Sequence, residues 1–311
     1  MRVILMAKKN ILKCLILPVL LGLGINCGRD VSVNIDQNTY EPRIVVEGYL
    51  FPGLPPSGIR IMRNYGLNMR IDLNEIVIDD AQVVIRDLTA ESDYDLVYDA
   101  PSFAYRYSGR DFLVQHGGRY RLSVSARIDG SELWTASVTT VPEKGFAIDR
   151  EASILGPFEY RQRDGEQNLQ KVTVQFERSP STDSYISSIV ALDGSLDTFI
   201  EDNAFGLERN DLQEYEEILP EIIHQAQWTQ TELGGTGNSQ FQIEWFSIWF
   251  YSRYRVILYA ADKNFTDFFL THRMVQEFDG NLLEPKFHFE GDGIGVFGSA
   301  AADTVYFDIL P

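Results

Sequence analysis

Cysteine is almost missing from this chain: Cys14 and Cys27 are the only two in 311 residues, and both lie near the start. No disulfide framework can brace the body, so the fold must rest on its apolar core. Cations are scarce as well, with 27 Lys and Arg against 45 Asp and Glu and a formal charge of −18. Such a chain is a poor nucleic-acid binder, because phosphate contacts need Lys and Arg clusters. It is also disfavoured at an anionic lipid surface, and its acidity reads first as solubility. No apolar run reaches the roughly 20 residues of a spanning helix. The four histidines, His116, His224, His272 and His288, show no HExxH or other paired metal spacing. There is no Gly-x-Ser-x-Gly elbow, no cysteine nucleophile in the body, and no repeat of solenoid or propeller period. Neither cofactor nor metal is expected, and the chain reads as a non-enzyme.

What is present begins with Ile11–Cys27, a short apolar run behind a basic head of Arg2, Lys8, Lys9 and Lys13. This is the secretory signal pattern, and Pro18 inside it disfavours a stable helix. The run ends in Gly22-Leu23-Gly24-Ile25-Asn26-Cys27, which is similar to a bacterial lipobox. Asn26 stands where that box usually has a small residue, and Gly24 where it usually has leucine. Residues 1–26 are expected to be a signal peptide and Cys27 the lipid-modified first residue of the mature chain. Acylation accounts for the lone remaining thiol and attaches the protein to a membrane. Without its basic leader the chain carries 23 basic against 45 acidic residues, a charge near −22. Residues 27–42 are polar and without period, as a flexible tether would be.

The body reads as mainly β, in two β-sandwich-like domains. The first, 43–142, is expected to be an immunoglobulin-like or transthyretin-like sandwich of six or seven short strands. Strand candidates are Arg43–Leu50, Gly58–Arg63, Asp80–Asp87, Asp93–Asp99 and Phe103–Tyr107. In Tyr120–Ile128 apolar residues alternate strictly with Arg121, Ser123, Ser125 and Arg127, the pattern of a half-buried strand. Asp129–Glu132 turns it into a second strand, Leu133–Val141. Residues 143–170 are expected to be a linker. The second domain, 171–311, is β-rich with one or two helices. Lys171–Phe176, Ser184–Leu192, Tyr254–Ala260 and Thr304–Leu310 are its strands. Phe241–Phe250 is apolar on both faces and reads as a central strand. Inside an acidic insertion, 195–232, Asp211–Gln227 has helical spacing of Leu212, Tyr215, Ile218 and Leu219, interrupted by Pro220. Asp262–Glu277 reads as a helix capped by Asp262 or Asn264, with Phe265, Phe268, Phe269 and Met274 on the sheet. Gly291–Ser299 reads as a tight turn before the last strand.

Four stretches resemble one family. They are the cysteine with its polar spacer, the Glu41–Tyr49 opening, Asp80–Ile85 leading to Gly118–Leu122 and the hairpin, and the end of the chain, Tyr259–Phe269 with Gly293–Ser299. Together they resemble lipoproteins of Bacteroidetes and related bacteria in the domain-of-unknown-function family numbered 4249. The resemblance spans nearly all of the mature chain. It implies an outer-membrane lipoprotein, and relatives often belong with starch-utilisation-type TonB-dependent transporters. Its motifs are structural and carry over no functional residue.

Candidate ligand-binding residues come from the aromatic group Trp245, Phe246, Trp249, Phe250, Tyr251 and Tyr254. Trp245, Trp249 and Tyr251 could stack on a ligand's rings or fill a partner's groove; the alternative is that all of them are core. Asp193, Asp197, Glu201 and Asp202 could meet a calcium ion but lack the Asp-x-Asp-x-Asp-Gly pattern. The expected function is a lipid-anchored, non-catalytic accessory or binding protein of the outer membrane, its partner a TonB-dependent transporter barrel. Alternatives are a surface hydrolase with carboxylates in the interdomain cleft, and an adhesin or envelope scaffold.

Overall fold

Alternating strand patterns fill most of this chain, and they are satisfied by three sheets. The structure is a computed structural model describing residues 40–66, 69–71, 75–214, 218–232, 234, 237–274 and 285–311. The expected signal peptide, Cys27 and most of the tether lie outside the described residues. So do Tyr215, part of the Gly234–Ser239 loop, the expected helix beyond Met274, and the Met274 side chain.

In chain order the elements are β1 (Ile44–Leu50), β2 (Arg60–Arg63), β3 (Gln82–Asp87), β4 (Ser92–Asp99), β5 (Ala104–Arg106), β6 (Arg119–Ile128) and β7 (Ser131–Thr140). Then come β8 (Ala147–Ile154), β9 (Phe158–Glu159), β10 (Val172–Glu177), β11 (Ser184–Ala191), α1 (Arg209–Glu214), α2 (Ile218–Ile223), β12 (His224–Gln230) and β13 (Asn238–Ile243). Last are β14 (Arg253–Ala261), α3 (Lys263–Met274), β15 (Glu290–Gly291) and β16 (Gly293–Leu310). A seven-stranded sheet runs β12-β11-β14-β16-β1-β2, with β9 also paired to β16. A six-stranded sheet runs β15-β7-β6-β3-β4-β5, and a three-stranded sheet β13-β10-β8.

Two hydrophobic cores result. In the first, Ile44, Val46, Ile59 and Ile61 of the large sheet's β1–β2 end share a core with Val83, Ile85, Leu122 and Val124 of the six-stranded sheet. In the second, Val174, Phe176 and Phe241 of the three-stranded sheet share a core with Tyr185, Tyr254, Val256 and Phe307. The mainly-β, sandwich-like reading therefore holds. Both cores lie in one compact unit, Glu41–Tyr65 with Met69–Pro311.

The large sheet is common to both cores because of β16. Where the sequence suggested a glycine-rich turn followed by a short strand, the chain forms one 18-residue strand. Its first part pairs in parallel with β1, from Ile44↔Gly293 to Leu50↔Ser299. Its second part pairs antiparallel with β14, from Arg253↔Asp308 to Ala261↔Ala300. Residues 43–142 thus share their sandwich with a strand from the far end of the chain. The glycines permit this close approach. Gly295 has φ of 107°, and a Cβ there would fall onto the Val46 carbonyl oxygen. The tight turn itself is at Gly291, with φ of 74°.

Other differences have local causes. The β6–β7 turn is two residues, not four: Asp129 and Gly130 both have positive φ, and Ile128 pairs with Ser131. This mirror-image turn matches the strand twist. Residues 143–170, expected as linker, include β8, which pairs with β10, and β9. Arg150 of β8 donates to Asp303 on β16 at 2.6 Å, and the Ile148 N–H donates to the same carboxylate at 2.9 Å. The helical reading of Asp211–Gln227 holds for α1 and α2, but the chain turns to strand at His224, which pairs with Val190. From there the polar residues alternate with period two, as an edge strand allows.

Phe241–Phe250 is not one strand. It leaves β13 after Ile243 and makes a 3₁₀ turn at Trp245–Ser247. Phe241, Ile243, Trp245, Ile248 and Phe250 all reach the second core. An unbroken strand would send Ile248 and Phe250 to the opposite face from the first three; the turn shifts the phase by one residue.

Replacing Gly295 with alanine should cost roughly 2–4 kcal/mol, because backbone strain and a backbone clash coincide. Chemical denaturation with an unchanged midpoint would contradict the β1–β16 pairing. Burial raises the Asp303 carboxyl, but the Arg150 guanidinium and the N–H groups of Ile148 and Thr304 outweigh it and hold it below its usual 3.8. A lowered folded pKa gives stability that is present above the unfolded value and lost as pH falls through the folded one. Stability should therefore drop as pH falls below about 4, and Asp303→Asn should flatten that drop; parallel denaturation series from pH 7 to pH 3 measure both.

Candidate functional site

The expected ring cluster separates by depth. Trp245 is buried, with Phe158 and Tyr160 edge-on to it at 6.3 and 5.6 Å. It belongs to the core. Phe250 and Tyr254 are fully buried as well. Trp249 is half-buried and forms the middle of a stack. Buried Phe199 lies parallel to it at 6.5 Å and 11°, and Phe205 at 5.5 Å and 15°. Phe205 is 66% exposed and Phe246 is 52% exposed, the two meeting edge-on at 6.4 Å. Phe205, Phe246 and Trp249 thus form an apolar platform open to solvent.

The acidic insertion builds this platform. Its first segment lies along 248–251: the Ile200 N–H donates to the Trp249 carbonyl at 2.9 Å, and the Tyr251 N–H to the Thr198 carbonyl at 2.8 Å. Asn203 then fixes the loop. Its side chain is buried; its amide donates to the carbonyls of Ile200 at 3.1 Å and Leu207 at 2.6 Å. Its oxygen accepts the N–H groups of Phe205 and Leu207, each at 3.1 Å. Gly206 supplies the left-handed residue, φ 64°, that closes the turn. Phe205 is therefore presented at the tip of a loop locked by side-chain hydrogen bonds. Neither residue was singled out from the sequence. The available signal was Asn203 followed by Gly206, a pairing typical of tight turns.

The other expected groups are placed apart from the platform. Tyr251 faces a hollow of about 340 Å³ lined by Asp193, Asp197, Arg253 and Asp308. The four acids considered for calcium do not converge: Asp193 accepts the Arg253 N–H at 3.3 Å, Glu201 pairs with Arg209 at 3.2 Å and Asp202 with Arg161 at 3.3 Å. Among the described residues no three His, Cys, Asp or Glu side chains are placed to hold a metal ion. His116 lies 2.9 Å from the Pro142 carbonyl, His288 2.8 Å from Asp267, and His272 stacks on Phe268.

A larger cavity, about 550 Å³, opens beside the start of α3. Trp228 and Gln230 of β12, residues 181–184, the end of β7 and the first turns of α3 line it. Asp262, as expected, caps the helix. Its carboxylate accepts the N–H groups of Phe265 at 2.9 Å and Ser299 at 3.1 Å and the Thr139 hydroxyl at 2.6 Å. Burial pushes this carboxyl up, against those three donors. Asp267 is raised by burial too, but hydrogen bonds from Lys263 and His288 outweigh that and hold it low. Two carboxylates of this cleft are thus engaged in holding the fold: Asp262 as the helix cap and Asp267 as a shared ion-pair acceptor.

A family model described as Domain of unknown function (DUF4249) matches residues 29–304. No curated protein matches the chain.

Asn203→Ala should lower stability by roughly 2–3 kcal/mol, since it strands buried backbone groups. It should also speed hydrogen exchange at the amides of Phe205 and Leu207. Phe205→Ser, at an exposed tip, should stay within about 0.5 kcal/mol of the parent. Equal exchange protection in Asn203→Ala and parent would refute the locked loop.

Proposed function

The chain belongs to the DUF4249 family, and on that premise we propose that it is a lipid-anchored, non-catalytic accessory protein of the bacterial outer membrane. It docks on a protein partner through the platform of Phe205, Phe246 and Trp249. The partner class is a TonB-dependent transporter barrel, as the sequence resemblance implies, and acylation of Cys27 holds the body beside it.

One observation carries this reading: a phenylalanine 66% exposed on a loop whose conformation is fixed in advance. A ring this open to solvent contributes little to the stability of the fold. Rigid aromatic side chains are the usual energetic centres of interfaces, because they bury much area at little cost in conformational entropy. A locked loop lowers that cost further. The two ion pairs beside the platform, Arg161–Asp202 and Arg209–Glu201, are suited to a polar rim around an apolar centre.

The test is detergent pull-down of the tagged chain, with quantitative mass spectrometry. The parent should recover a barrel, and Phe205→Ser or Phe246→Ser should lower that recovery at least tenfold with an unchanged melting temperature. Cys27→Ala should move the protein from the envelope to the soluble fraction. Equal recovery of the same partner by both ring variants would overturn the docking role; a Cys27→Ala protein that still sediments with envelopes would overturn the anchor.

A further inference from the structure

The cavity beside α3 has a composition of its own, distinct from the platform. We propose that it binds a neutral polyhydroxylated ligand, a mono- or disaccharide, stacked on Trp228 and hydrogen-bonded by Asp183 and Gln230.

The volume is right for a small molecule. About 550 Å³ lies within the range of small-ligand sites and is ample for one or two sugar rings. One wall is aromatic: Trp228 projects from edge strand β12 and keeps 37% of its surface open. The electron-rich face of an indole attracts the weakly positive C–H groups on one face of a sugar ring. The adjoining wall is polar. Asp183 accepts the Ser184 hydroxyl at 3.1 Å and the Gln230 amide at 3.1 Å. These contacts orient its carboxylate and use one site on each oxygen, while a carboxylate offers about four. Vicinal hydroxyls are suited to such acceptors. The hydroxyl-bearing residues Thr140 and Ser181 line the same space.

The charges decide against an anionic ligand. The start of a helix commonly attracts anions, but here Asp262 already occupies it, taking the Phe265 N–H with its carboxylate and the Thr266 N–H with its carbonyl. Asp183 then adds a negative charge of its own, so phosphates and carboxylates are repelled. A metal ion would need convergent ligands, and among the described residues none converge. Lys263 faces the cleft from α3, its charge shared with Asp267 at 2.7 Å. A neutral ligand rich in hydroxyls is what an indole face, an oriented carboxylate and an amide recognise together.

The experiment is a printed array of neutral, anionic and cationic saccharides probed with the full chain in detergent, followed by calorimetry on the best neutral sugar. Capture should be confined to neutral sugars. Trp228→Ala should weaken it at least tenfold and Asp183→Asn at least fivefold, while Phe205→Ser leaves it unchanged. Because Trp228 is exposed, its loss should not unfold the protein, and an unaltered melting temperature checks this. No capture of any neutral sugar, capture only of charged sugars, or equal capture by Trp228→Ala would each overturn the proposal. None of those outcomes bears on docking through Phe205, which the pull-down reads separately.

Discussion

Everything in this fold depends on one strand spending its hydrogen bonds in two places. The start of β16 gives them to β1 and its later part to β14. A single layer therefore serves two cores, and the first and last strands of the body are neighbours. Pairing of such sequence-distant segments carries a large loop-closure entropy. It is recovered by apolar side chains on both parts of the strand, with Phe297 in one core and Val305 and Phe307 in the other. The glycines at the start of β16 follow from this, because the strand passes too close to Val46 and Thr135 for side chains at 295 and 293.

The second constraint is the buried carboxylate of Asp262. It caps α3 and at the same time accepts from Thr139 on β7 and Ser299 on β16. Asn264 adds bonds from its amide to the carbonyls of Val138 and Phe297. A helix start, the six-stranded sheet and the shared strand are thus tied by side-chain hydrogen bonds. A buried charge is tolerable only with such partners. Asp262 and Asn264 also line the cavity beside α3, so the geometry that stabilises the junction also shapes the cleft.

The aromatic residues show how one compositional feature is divided between core and surface. Trp245 and Phe250 are consumed by the second core, whereas Phe205 and Phe246 are not. The difference is a 3₁₀ turn that rotates Phe246 outward while it carries Ile248 back into the core. Asn203 completes the surface by fixing the loop with side-chain hydrogen bonds to its backbone.

Much of the architecture was legible along the chain. Strict alternation in Tyr120–Ile128, the Asp-Gly turn and the cap at Asp262 are local signals, governed by neighbours within a few residues, and each appears where the pattern places it. What the chain could not disclose was every feature set by partners far away in sequence. The fusion of glycine-rich segment and last strand into β16, the recruitment of residues 143–170 into sheets and the break after Ile243 all follow from filling cores with distant residues. The site divides the same way. Aromatic richness around 245–251 could be read directly, but which rings face solvent, Phe205 and Trp228 among them, was settled only by packing, because period-two alternation loses its phase wherever a turn intervenes.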